Sequence, residues 1–235
     1  MKTCIITGAG SGIGREVAKQ ISCGSEYNNI ALLGRNLQDL KETKSQMQSN
    51  GKDVDIWIID FMNPEKVPAI VESIYEKYGS IDCLLNIAGY TDPKPLLQTS
   101  LDNMLTTYQV NVMSPFMLIR ECTRYMKNQG GKILNVASTA GMTPRPGWLS
   151  YSSSKAAIIS ISNTLTDELA EYGIKIYCVS PGRCATKLRK RLAPNEDPTT
   201  IMQPYEVATV ICNLIDNSEN CLDGQNIIIR KQISK

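Results

Sequence analysis

The sequence predicts an α/β protein built on a doubly wound, seven-stranded parallel sheet with helices on both faces. Three observations point there. Short apolar runs alternate with amphipathic stretches along the whole 235-residue chain, the pattern left by strands buried on both faces and joined by crossover helices. A glycine-rich turn, Gly8-Ala9-Gly10-Ser11-Gly12-Ile13-Gly14, falls at the first strand-to-helix junction. Proline or a small polar residue opens several helical stretches, and glycine closes several.

In chain order, Thr3-Cys4-Ile5-Ile6-Thr7 reads as the first strand, and a helix over 12–23 begins inside the glycines. The apolar run 30–33 is the second strand, and the helix over 36–49 is stopped by Gly51. A third strand over 54–59 leads to a helix over 64–78, entered at Pro64 and left at Gly79. Residues 83–86 form a fourth strand and 100–127 one long helix. The fifth strand covers 132–137, a helix over 149–172 ends at Gly173, and the sixth strand covers 175–180. A helix over 204–216 starts at Pro204, and the last strand spans 226–230. No repeat or linker divides the chain, so residues 1–235 read as one domain. Two loops stand out: 139–149, with Pro144-Arg145-Pro146-Gly147, and 183–203, long enough to serve as a substrate lid.

Composition narrows the function. The 25 basic and 23 acidic side chains leave +2, too little field to draw nucleic acid or an anionic membrane. No apolar run is long enough to span a bilayer, and the first residues read as a strand and not as a signal peptide. The expectation is a soluble, cytoplasmic protein. Eight cysteines without a CxxC pair read as reduced thiols. The absence of histidine excludes a Ser-His-Asp triad and a histidine-ligated metal, and no metal site is expected. Chemistry falls to Tyr, Lys, Ser, Asn or a bound cofactor.

Two features supply that chemistry. Glycines at a helix start let the backbone approach a pyrophosphate and present unpaired N–H groups at the positive end of the helix dipole. Tyr151 and Lys155, in Tyr-Ser-Ser-Ser-Lys, share one helix face. An ammonium beneath a phenol lowers its pKa from about 10 and makes it a general acid or base.

The spacing TGxxxGxG with Tyr-x-x-x-Lys downstream resembles the compact single-domain branch of the short-chain dehydrogenase/reductase family, whose fold is of the Rossmann type. Further marks recur in order: Asp60, Asn86-Ile87-Ala88-Gly89, Asn111, Ser138, and Pro181-Gly182 with Thr186. Ile87 departs from the pattern, which usually has a second Asn there. The resemblance implies a catalytic tetrad of Asn111, Ser138, Tyr151 and Lys155. In that set Tyr151 exchanges a proton with the substrate oxygen, Ser138 stabilises its charge, Lys155 tunes Tyr151, and Asn111 anchors a relay water. It also implies a dinucleotide held by Gly8, Gly10, Ser11, Gly12, Ile13, Gly14, Arg35, Asn36, Asp60, Phe61, Asn86, Ala88, Gly89, Tyr151, Lys155, Pro181, Gly182, Cys184 and Thr186. Where an NAD-binding chain carries an acid for the adenosine ribose, this one has Leu33-Gly34-Arg35-Asn36, which favours NADP over NAD because Arg35 can pair with a 2′-phosphate. The alternative for Arg35 is a solvated loop charge.

The expected function is an NADPH-dependent carbonyl reductase that interconverts a ketone and a secondary alcohol, with Tyr90, Arg145 and Trp148 at the substrate rim. A 3-oxoacyl carrier-protein reductase and a non-catalytic NADP-binding sensor or scaffold are the alternatives. The basic run Lys187-Leu188-Arg189-Lys190-Arg191 either attracts an anionic partner or is the solvated side of a short helix. The resemblance further implies a homotetramer or homodimer packed through the helices over 100–127 and 149–172.

Overall fold

The computed structural model describes residues 1–48, 50–219 and 221–232. Seven strands form one sheet in the order β3-β2-β1-β4-β5-β6-β7: β1 (Lys2–Thr7), β2 (Tyr27–Gly34), β3 (Asp53–Ile58), β4 (Cys83–Asn86), β5 (Gly131–Val136), β6 (Ile174–Pro181) and β7 (Asn226–Ile229). Every neighbouring pair is parallel. The order reverses between β1 and β4, and ligands of such sheets bind at the carboxyl ends of the strands at that switch.

The period-two pattern explains why both faces are covered. On β1, Cys4 and Ile6 pack beneath α1 (Gly12–Gly24), α2 (Leu37–Gln46) and α8 (Pro204–Ile215) with Val17, Leu40 and Val207. Ile5 faces the opposite layer, made by α3 (Val67–Tyr78), α5 (Ser114–Met126) and α6 (Leu149–Ala170), where Val71, Leu118 and Leu169 lie. Leu84 and Ile133 join Ile5, while Leu85 and Leu134 join Ile6. Each such side chain contributes roughly 1.5–3 kcal/mol by leaving water.

The long helix expected over 100–127 is interrupted. It runs as α4 (Leu101–Tyr108), a π turn over Gln109–Met113, then α5. Pro115 has no N–H for the carbonyl of Asn111 four residues earlier, and its ring would crowd that carbonyl, so the α ladder cannot pass through. Three smaller differences accompany it. Residues 64–66 form a tight 3-10 turn before α3, the loop 183–203 contains a short helix α7 (Lys187–Leu192), and β2 starts three residues before the expected position. Position 49, where the second helix was expected to end, lies outside the described residues.

No helix among the described residues is long and apolar enough to cross a membrane. All eight cysteines are free thiols, with Cys4, Cys83, Cys122, Cys178 and Cys184 buried.

Candidate active site

The glycine turn is anchored by Thr7. Its Oγ1 accepts from the N–H groups of Ile87 at 2.9 Å and Ala88 at 3.0 Å and donates to the Leu85 carbonyl at 3.2 Å. One hydroxyl thus ties the end of β1 to the loop after β4, on either side of the switch point. Gly8 follows with φ +66°, and a Cβ there would stand 2.9 Å from the Ala88 backbone. Only glycine fits. Arg15, paired with Glu42, donates to the Gly10 carbonyl at 2.6 Å and braces the turn from outside. Ser11 precedes α1 and makes no side-chain cap, so the helix start keeps N–H groups for an anion. This bare backbone cradle at a helix N-terminus fits the diphosphate of a dinucleotide.

Beyond β5, Ser138 accepts from the Ala140 N–H at 3.2 Å and caps a short turn, Thr139–Gly141. A Cβ on Gly141 would stand 2.7 Å from the Lys155 backbone, so this glycine lets the turn lie directly on α6. That approach brings the Ser138 hydroxyl to the Tyr151 phenol, whose proton affinity it lowers. Burial raises the Tyr151 pKa, opposed by the Ser138 hydroxyl and by the charge of Arg145. Lys155 is fully inside, and burial brings its pKa down to about 8. Its Nζ donates to the Val136 carbonyl at 2.8 Å and lies 5.8 Å from the centre of the Tyr151 ring. Arg145 thus adds a second cation beside the phenol, next to the Lys155 that the spacing pointed to.

Asn111 sits in the π turn, and its buried amide is fully used. Oδ1 accepts from the Tyr90 N–H at 2.8 Å, and Nδ2 donates to the Tyr90 carbonyl at 2.9 Å and to Ser154 Oγ at 2.9 Å. It holds the loop after β4 against α6, close to Lys155.

A cleft of about 270 Å³ joins the two ends. Of the residues expected at the site, Gly8, Ser11, Gly12, Ile13, Gly14, Ala88, Gly89, Ser138, Tyr151, Lys155, Pro181, Gly182, Cys184 and Thr186 line it, with Arg145 and Trp148 on the substrate side. Others lie outside its walls. Asn36 caps α2 by accepting from the Asp39 N–H at 3.1 Å, and Asp60 accepts from the Met62 N–H at 3.1 Å. Phe61 is buried, with its carbonyl taking the Ser114 hydroxyl at 2.7 Å. Asn86 donates to Asn135 Oδ1 at 2.8 Å inside the sheet. Gly10 backs onto Asp39, and Tyr90 serves Asn111. Arg35 is exposed. The cleft also takes Thr139 from the loop 139–149, Leu188, Arg189 and Leu192 from the segment 183–203, and Thr91, which no local motif announced.

The fold and the cleft at its switch point define a Rossmann-type α/β protein. The chain belongs to the short-chain dehydrogenase family of oxidoreductases: the family model described as "short chain dehydrogenase" matches residues 2–197. It is 29% identical to the 3-oxoacyl-[acyl-carrier-protein] reductase FabG of Thermotoga maritima, over 96% of this chain and 95% of that one. It is 32% identical to the 2,3-dihydro-2,3-dihydroxybenzoate dehydrogenase of Bacillus subtilis, over 83% of this chain and 75% of that one. Among solved structures, NAD+-bound xylitol dehydrogenase superposes with a TM-score of 0.88 at 27% identity, covering 97% of each chain.

Proposed function

We propose that the protein is a carbonyl reductase that uses NADPH to convert a ketone to a secondary alcohol, reversibly. The observation that carries this is the convergence of Tyr151, Ser138 and Lys155 on one end of a cleft whose other end is the glycine cradle. A bound nicotinamide supplies the hydride. The substrate oxygen lies against Tyr151, which gives up its phenolic proton as negative charge develops, and the Ser138 hydroxyl stabilises that charge. Lys155 holds a proton for the return step. The Asn111 carbonyl, left without its helical donor by Pro115, is the anchor for a water that carries protons from solvent to Lys155. Pro181, Gly182, Cys184 and Thr186 orient the nicotinamide end, and segment 183–203 closes over it as a lid.

NADP is favoured by Arg35, which is exposed at the end of β2 and makes no hydrogen bond or ion pair among the described residues. The xylitol dehydrogenase of similar fold was solved with NAD+, so the two cofactors need direct comparison. A panel of carbonyl substrates assayed with NADPH and NADH tests both points. NADPH should be preferred, and Arg35→Ala should erase the preference. Tight cofactor binding with no turnover on any carbonyl would identify a sensor module instead.

The 3-oxoacyl carrier-protein reading is favoured by the Thermotoga relative but weakened by the chemistry of α7. Lys187 pairs with Asp39 and Arg189 with Glu196, while Arg191 donates to the neutral Thr91 carbonyl, leaving Lys190 and Arg191 as the exposed charges without a carboxylate among the described residues to meet a carrier. Leu101, Leu105, Met113 and Phe116 are exposed along α4 and the start of α5, and we take this stripe as the homo-oligomer contact. The free thiols suit a reducing compartment such as the cytoplasm.

A further inference from the structure

We infer that the substrate carries an oxyanion, a carboxylate or a phosphate, held in a second cleft that opens off the catalytic one. This rests on the reductase reading and specifies its substrate class. The second cleft, of about 640 Å³, lies at the carboxyl ends of β5, β6 and β7 and shares Thr139, Arg145, Gly182 and Arg183 with the first. Among the described residues its walls add Arg230 and Lys231 and contain no carboxylate.

Few of these four cations are neutralised within the fold. Arg183 reaches Glu196 at 2.9 Å, but that carboxylate is shared with Arg189. Among the described residues the Arg145 guanidinium bonds only the Thr139 hydroxyl, at 3.3 Å, and leans on the Trp148 ring. Arg230 has no hydrogen bond or ion pair among the described residues. Lys231 donates to two neutral carbonyls, of Thr199 at 2.5 Å and Ile201 at 3.5 Å, with Asp197 further off. Like charges gathered without counter-ions repel, and an incoming anion relieves that repulsion. Guanidinium forks match the paired oxygens of carboxylate and phosphate.

Position argues for substrate and against cofactor. The glycine cradle that suits the dinucleotide's phosphates lies at β1, across β4 from this cleft. Arg145 and Arg183 line both spaces, so a molecule with its carbonyl at Tyr151 extends its anionic end past them toward Arg230.

The test uses matched pairs: an aliphatic oxo acid with its methyl ester, and an oxoalkyl phosphate with the parent oxo alcohol. Each is titrated calorimetrically into the full chain with oxidised dinucleotide present, and each is assayed for reduction with NADPH and NADH. The anionic member should bind about 10- to 100-fold more tightly, and the advantage should shrink with salt and fall about tenfold in Arg230→Gln, an exposed position where folding is not at risk. The acid and phosphate arms identify which oxyanion fits. Neutral members binding as tightly as anionic ones, or an advantage that survives intact in the Arg230→Gln/Lys231→Gln double variant, would overturn the inference. Preferential anion binding without turnover of any carbonyl would leave the oxyanion-binding cleft standing and remove the reductase reading with the substrate role built on it. Turnover of esters and acids with equal binding would do the reverse.

Discussion

The ammonium of Lys155 donates to the carbonyl of Val136 at 2.8 Å, which ties α6 to the end of the strand that delivers Ser138. The same side chain passes beneath the Tyr151 ring. One buried cation therefore sets the spacing between the two elements that carry the proton donor and its hydroxyl partner.

Keeping that cation charged opposes folding. Burial holds Lys155 at about 8 against the usual 10.5, a difference worth about 3 kcal/mol at neutral pH. Between those values the unfolded chain keeps a proton that the folded chain has lost, so this group's contribution to stability rises with pH across that window. Buried thiols such as Cys122 and Cys178, pushed up by burial, act in the opposite sense. The Lys155 effect is therefore read as a difference from Lys155→Met. Urea titrations should show the variant gaining on wild type at pH 7 and losing that gain by about pH 10; a gap that does not change with pH would remove the buried ammonium from this account.

Tyr151→Phe should lower turnover by about 100- to 10,000-fold while dinucleotide binding persists. Ser138→Ala should lower turnover by about 100-fold. It should also leave a fingerprint in pH. The Ser138 hydroxyl lowers a phenol pKa that burial raises, so its loss moves the rising limb of alcohol oxidation to higher pH. Steady-state profiles of both variants decide this, and an unshifted limb would mean that Ser138 does not act on the phenol.

Two glycines should respond oppositely to alanine. Gly8→Ala places a methyl 2.9 Å from the Ala88 backbone at φ +66°, and should cost at least about 1–3 kcal/mol and abolish dinucleotide binding. Gly24, at the exposed end of α1, has nothing within 4 Å of its Cβ position, and alanine there should be neutral or stabilising by up to about 1 kcal/mol. Urea midpoints and calorimetry separate the two, and equal losses would contradict the packing described for Gly8.

By itself the sequence determined what is periodic or local: the alternating strands, the glycine turn after β1, and the Tyr151–Lys155 pair on one helix face. Strand alternation and helix spacing are properties of consecutive residues, so they survive without knowledge of partners. The tertiary structure decided what depends on distant neighbours. Periodicity could not see that Asn111 would bond the backbone of Tyr90 and the hydroxyl of Ser154 from inside a π turn, though Pro115 was the clue. A run of basic residues in α7 gave no sign of Glu196 and Asp39, which neutralise much of it. Arg145 and Arg230 become neighbours only because β5, β6 and β7 end side by side. Charges act through space, and sheet order is what converts separation along the chain into distance.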